Sequence, residues 1–354
     1  KDYQHGYRQF INRKNVEMLI SSTSVNRLAE YVENRDEVFC SGLFLSARWM
    51  VISQLDRLGI QMIVLPDRDS AEYCAADLYH LIEGDRVYFL PDSGKNLERS
   101  NYKSSLGVQR TSAIGKILEY KEGEQMIIVT YPSALEEIIP EKGKISGSLL
   151  KLAAGDEKPY EEIKEILFAN GFERVDFVSE PGQFAVRGAL IDIFSYSFNN
   201  PFRISFFGDE IESINIFDAN TQLSIEKVDF VDIYPDLSSS EDSDGAMVTD
   251  ILPESTLVWM DSSDMYKDKS FFSELQKFKN IYMELPLSRQ EEEVIKFNIS
   301  PQPVFNKNFE LLTEDIRTKI ENGYRVRIYG EKQSQLERLK SILSQNGGIF
   351  PEFI

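Results

Sequence analysis

Residues 171–236 read GFERVDFVSEPGQFAVRGALIDIFSYSFNNPFRISFFGDEIESINIFDANTQLSIEKVDFVDIYPD, and this stretch decides the fold. Short runs at 174–179, 183–187, 190–194, 202–206 and 211–217 carry the β-branched and aromatic residues and the alternation of half-buried strands. Gly208-Asp209 separates the last two runs, a dipeptide suited to a two-residue hairpin turn. In that hairpin Phe202, Ile204 and Phe206 share one face, while Arg203, Ser205 and Phe207 share the other. Upstream, 159–170 is one amphipathic helix ended by Gly171, a natural left-handed stop, and 151–153 starts a short strand. The expectation is a small antiparallel α+β domain over 146–240.

The flanks have a different texture. Apolar strands are expected at 38–42, 61–65, 86–90 and 125–130, alternating with helices at 46–58, 70–82 and 112–121. Ser46 is placed to cap the first helix, and Asp67 or Asp69 the second, whose Ala71, Cys74, Ala75, Leu78 and Ile82 fall on one face. Such alternation implies a parallel sheet covered by helices. The polar segment 91–110 reads as a loop, and 237–246 (LSSSEDSDGA) as a linker. Apolar strands at 256–261 and 280–285 are positioned to return to the first sheet, which makes the middle domain an insertion. After a boundary at 300–304 (SPQPV), a helix at 309–322, a stop at Gly323, a strand at 325–329 and a helix at 333–345 begin a third unit. The organisation expected is therefore an arm at 1–20, a first α/β domain at 21–145 resumed at 241–301, the insertion at 146–240, and a small, incomplete α/β domain at 302–354.

Composition excludes several classes of function. The 354 residues carry a formal charge of −19, which argues against gripping nucleic acid, because phosphate contacts dominate that affinity. His5 and His80 are the only histidines, and Cys40 and Cys74 the only cysteines. That leaves no material for a zinc site or a His-based triad, and both cysteines read as buried free thiols of a reducing, cytoplasmic compartment. No apolar run approaches the roughly 18 residues that would span a bilayer.

Nucleotide hydrolysis on a sheet of this kind needs a Gly-Lys-Ser/Thr loop after the first strand. The chain offers Gly42, Ser46 and Arg48 there and no such triplet. Gly94-Lys95, Gly115-Lys116 and Gly143-Lys144 are followed by Asn96, Ile117 and Ile145, so none completes the motif. The Asp-Glu that magnesium chemistry wants after a later strand is Asp261-Ser262 here. The expectation is a degenerate nucleotide site made of Gly42, Ser46, Arg48 and Asp261, with no catalytic and no metal-binding residues. Arg48 would meet an anion or serve as a surface or capping residue.

The blocks Gly182-x-Phe184-Ala185-Val186-Arg187-Gly188, Ile191-Asp192-Ile193-Phe194, Phe206-Phe207-Gly208-Asp209-Glu210-Ile211 and Phe217-Asp218 resemble the small domain shared by the excision-repair helicase UvrB and the transcription-repair coupling factors. Fainter likeness extends over Gly42–Arg48, Pro66-Asp67-Arg68-Asp69 and 128–135. The degenerate phosphate loop, Asp261-Ser262 and the shortness of 91–110 side with the coupling factors. The resemblance implies a degenerate helicase-like parallel-sheet domain with an inserted small antiparallel α+β domain and the start of a third. It implies UvrA as the partner, docked on Arg174, Phe184, Arg187 and Arg203, with no cofactor in this chain. ATP and magnesium, RNA polymerase and double-stranded DNA would be served by regions beyond it, and a C-terminal domain would be able to mask the docking face. From the residues alone, each arginine has an equal alternative as an intradomain ion-pair partner, Asp192 or Asp176 for Arg187. An active UvrB-like helicase fragment and a direct DNA-binding module remain the rival readings.

Overall fold

The computed structural model describes residues 23–44, 46–55, 58–95, 100–238, 245–284, 294–299, 303–328, 332–345 and 351–353. The expected arm at 1–20 lies outside them. Seven parallel strands form the main sheet in the order β15-β1-β14-β13-β2-β4-β3. They are β1 (Glu37–Ser41), β2 (Ile60–Val64), β3 (Val87–Phe89), β4 (Met126–Thr130), β13 (Leu257–Met260), β14 (Lys279–Tyr282) and β15 (Val294–Lys296). Strands β2, β4 and β13 are buried at every position, which is why they read as continuous apolar runs rather than alternating ones.

Helices cover both faces. On one face α1 (Thr23–Asn34), α2 (Ala47–Gln54) and α3 (Arg68–Leu81) pack on Cys40, Ile63, Val129 and Trp259. On the other, α4 (Ser100–Glu119) places Ala113, Ile114 and Ile117 over Met62, Val64, Ile128 and Met260. Asp67 caps α3 by accepting from the Ser70 amide at 2.8 Å. Ser46 does not cap α2: its backbone is already helical, and its hydroxyl donates to Asp77 instead, at 3.3 Å.

Between β4 and β13 the chain builds the insertion. After α5 (Pro132–Glu136) and α6 (Lys142–Ser148) come β5 (Leu150–Ala153) and α7 (Tyr160–Ala169). Then follow β6 (Glu173–Arg174), β7 (Gln183–Arg187), β8 (Leu190–Ile193), β9 (Phe202–Phe207), β10 (Glu210–Phe217), β11 (Ser224–Val228) and β12 (Phe230–Ile233). Strands β6 to β11 make a six-stranded sheet in sequence order, antiparallel except for the β6–β7 pair, and β12 pairs with β5. Its inner face (Phe184, Ile191, Ile193, Phe202, Ile204, Phe206) packs on Ile163 and Leu167 of α7.

Three further expectations are corrected. The loop expected over 91–110 holds the first half of α4, whose Leu106, Val108 and Arg110 are buried; its Ser- and Gly-rich sequence hides a helix held by packing. The strand expected at 174–179 ends at Arg174, after which Val178 packs on Ala185, Phe194 and Phe217. Helix α2 stops at Gln54, four residues short of the expected end at Leu58. The third unit is α8 (Phe309–Glu321), β16 (Arg327–Ile328), α9 (Gln333–Gln345) and β17 (Glu352–Phe353), with β16 and β17 parallel. Among the described residues no helix is long and apolar enough to cross a membrane.

Candidate docking face and nucleotide-site remnant

The outer face of the small sheet is set by the register of its strands. Asp192 on β8 stands opposite Ala185 on β7 and Arg203 on β9. Its side chain is only 1% exposed, a costly place for a carboxylate unless it is paired. Arg203 supplies the pairing: Nε donates to Asp192 Oδ1 at 2.7 Å and Nη2 to Oδ2 at 2.9 Å. Arg187 Nη2 donates to the same Oδ2. Each guanidinium also lies against a ring, Arg203 at 4.4 Å from the buried Phe217 and Arg187 at 4.7 Å from the exposed Phe177. The hydrogen bonds to Asp192 hold the Arg203 guanidinium more firmly protonated than usual, against the effect of its burial.

Two of the four expected docking residues, Arg187 and Arg203, are thus brought together, and Arg187 realises the ion pair to Asp192. Arg174 is exposed on the neighbouring β6. Phe184 is corrected: it is fully buried, because β7 alternates and puts Phe184 on the α7 side, edge-on to Phe168 at 5.0 Å. Two aromatics that the motif did not single out take its place on the surface. Phe177 is 61% exposed, and Phe207 is 79% exposed at the end of β9. Phe207 was legible from its hairpin position beside Arg203 and Ser205; Phe177 was not, because its segment reads as strand.

The expected nucleotide site is taken up by the protein's own groups. Arg48 donates from Nη1 to Asp261 Oδ1, from Nη2 to Glu284 Oε1 at 2.8 Å, and from Nε to the Leu43 carbonyl at 3.2 Å. It is neither a capping nor a surface residue. Burial raises the Asp261 carboxyl above its ordinary value; the Arg48 charge opposes this and Glu284 adds to it. Gly42 is required by a close approach: with φ +75° its added Cβ would fall 2.0 Å from the Phe297 carbonyl oxygen, so the turn is held against the end of β15. Ser46 donates to Asp77 rather than to Asp261 or Glu284. A triphosphate placed here would meet two carboxylates and a guanidinium already bonded to both.

Sequence reasoning missed Arg110. It is fully buried on α4 and donates to the carbonyls of Ser238 (2.7 Å), Pro91 (2.8 Å), Ala134 (2.9 Å) and Glu137 (3.3 Å). No motif marks it, since its four acceptors are backbone groups spread over the chain. Cys40 and Cys74 are free and buried, and burial pushes the Cys40 thiol up to about 12.

Residues 150–238 match the family described as UvrB interaction domain, which is the inserted sheet and its helix. A helicase-like parallel sheet holding a UvrB interaction domain is the class of protein that fold and site define. Beyond that domain, the chain is similar to part of the transcription-repair-coupling factors of several bacteria. It is 29% identical to the transcription-repair-coupling factor of Mycobacterium bovis over 221 residues, covering 60% of this chain and 18% of that protein. The Bacillus subtilis factor is 30% identical over 206 residues, 57% of this chain and 17% of the relative. A more distant likeness, 21% identical to the Borreliella burgdorferi factor, covers 93% of this chain and 35% of the relative. The matched part is thus under a fifth of the first two relatives.

Proposed function

We propose that this chain is the docking module through which a transcription-repair coupling factor recruits UvrA, and that its own parallel sheet does not hydrolyse ATP. One observation carries the reading. On a chain of charge −19, the outer face of the UvrB interaction domain holds Arg187 and Arg203 around a single buried Asp192, with exposed Phe177 against Arg187 and exposed Phe207 at the end of β9. Arginine and large aromatic residues are the side chains that dominate protein interfaces, and a guanidinium can meet a partner carboxylate through two bonds. The committed Arg48–Asp261–Glu284 cluster supports the non-catalytic half of the proposal.

Within the whole protein, this module would bring UvrA to a lesion where RNA polymerase has stalled. The ATP-dependent DNA translocase activity that displaces the polymerase would belong to regions beyond it. The test is a titration of this chain against purified UvrA, with Arg187→Ala alongside. Saturable binding that the variant weakens is the expected result. A folded chain that ignores UvrA overturns the reading; ATP turnover by the chain would revive the helicase reading, and steeply salt-dependent DNA affinity the DNA-binding one.

A further inference from the structure

We infer that Asp192 is a positioning residue of the docking face: its buried carboxylate fixes Arg187 and Arg203 in one geometry before an acidic group of the partner arrives. The inference rests on the docking reading above and deepens it, because it assigns a function to a negative charge at the centre of a surface whose use is to attract one.

The geometry argues for positioning over mere neutralisation. Asp192 sits in the middle of β8, flanked through the β-ladder by Ala185 on one side and Arg203 on the other. Ala185 is small and buried, so Arg187, two residues along β7, reaches the carboxylate past it. Both oxygens of Asp192 are used, Oδ1 by Arg203 and Oδ2 by Arg203 and Arg187 together. The rings of Phe217 and Phe177 lie against the Arg203 and Arg187 guanidiniums, giving each a second contact beside Asp192. Two cations against one anion leave a surplus positive charge. The Arg187 side chain is 36% exposed and that of Arg203 is 21% exposed, so both still reach the surface. Long side chains ordered in advance lose less freedom on binding. The occupant this fits is a carboxylate-bearing surface of UvrA.

Positioning and charge make opposite predictions for one substitution. Asp192→Asn makes the face more positive. If Asp192 only dilutes the charge, this variant binds UvrA more tightly and associates faster. If it positions the arginines, the variant binds about tenfold more weakly, the loss falls on dissociation, and adding Arg187→Ala costs little more, because both changes remove the same interaction. The experiment is binding kinetics of the 354-residue chain against UvrA for the wild type, both single variants and the double variant, with thermal melts to establish folding. Wild-type or tighter affinity in folded Asp192→Asn overturns the inference and leaves the docking reading standing. Failure of the wild type to bind overturns the docking reading itself. Should Asp192→Asn not fold, Arg203→Lys decides: it keeps the charge and removes the two-bond grip on Asp192. Positioning predicts a loss of about fivefold, and unchanged affinity overturns it.

Discussion

Arg110 Nε donates to the carbonyl of Ser238 at 2.7 Å, joining residues 128 positions apart in the chain. The bond ties the exit of the inserted domain to α4, on the main sheet. From the same guanidinium, bonds to Pro91, Ala134 and Glu137 fasten the loop that follows β3 and the helix α5 that follows β4. Arg110→Ala strips four carbonyls of a buried partner. Breaking a buried charged network in this way costs about 3–5 kcal/mol. Arg110→Lys should recover little, because an ammonium lacks the planar fork that reaches several acceptors. Urea denaturation of the three proteins checks both expectations.

At the docking face, Arg174→Ala, Arg187→Ala and Phe207→Ala are each expected to weaken UvrA binding by about fivefold or more, the roughly 1 kcal/mol loss that only a minority of interface residues cause. All three side chains reach the surface, so melting temperatures should stay near wild type. Isothermal titration beside thermal melts separates the two effects. Unchanged affinity in all three would remove this face from the interface.

Phe184→Ala should behave in the opposite way. A fully buried ring packed against Phe168 leaves a cavity when removed, at a cost of about 3–5 kcal/mol. Loss of UvrA binding by this variant should therefore track loss of folded protein, measured by circular dichroism over a denaturant series. Normal stability with lost binding would return Phe184 to the interface.

The Arg48–Asp261 pair predicts a pH dependence. Burial raises the folded-state carboxyl of Asp261 above its ordinary 3.8, so the folded state holds this proton more tightly than the unfolded state. Its contribution therefore favours folding at low pH and declines as pH rises from the unfolded value through the raised one. Arg48 opposes that shift, so Arg48→Ala should raise the carboxyl further and steepen the decline. The destabilisation caused by Arg48→Ala should be larger at pH 7 than below the ordinary carboxyl value of 3.8, measured as the shift in denaturant midpoint. An equal shift at both values would show that the charge on Asp261 does not matter.

Much of the fold was legible because local chemistry and tertiary structure agree. Strands β2, β4 and β13 sit in the middle of a sheet covered on both faces, and a fully covered strand writes itself as an apolar run. Strands β7 to β10 have one face on α7, so they alternate and were found within a residue of their ends. Strand β11 was missed because its first four residues are exposed and no apolar face marks it. The start of α4 was missed because Ser and Gly reported against a helix that packing imposes.

The sequence by itself determined the alternation of strands and helices, the hairpin at Gly208-Asp209 and the absence of a complete phosphate loop, because each is encoded in residues close together in the chain. Tertiary structure alone decided which face of β7 carries Arg187 and which carries Phe184. It also chose Asp192 as the common partner of Arg187 and Arg203, and joined Arg48 to Asp261 and Glu284. Those contacts depend on strand register and on sheet order, which bring distant carboxylates to particular arginines. Composition in so acidic a chain offers many carboxylates and no means of choosing among them.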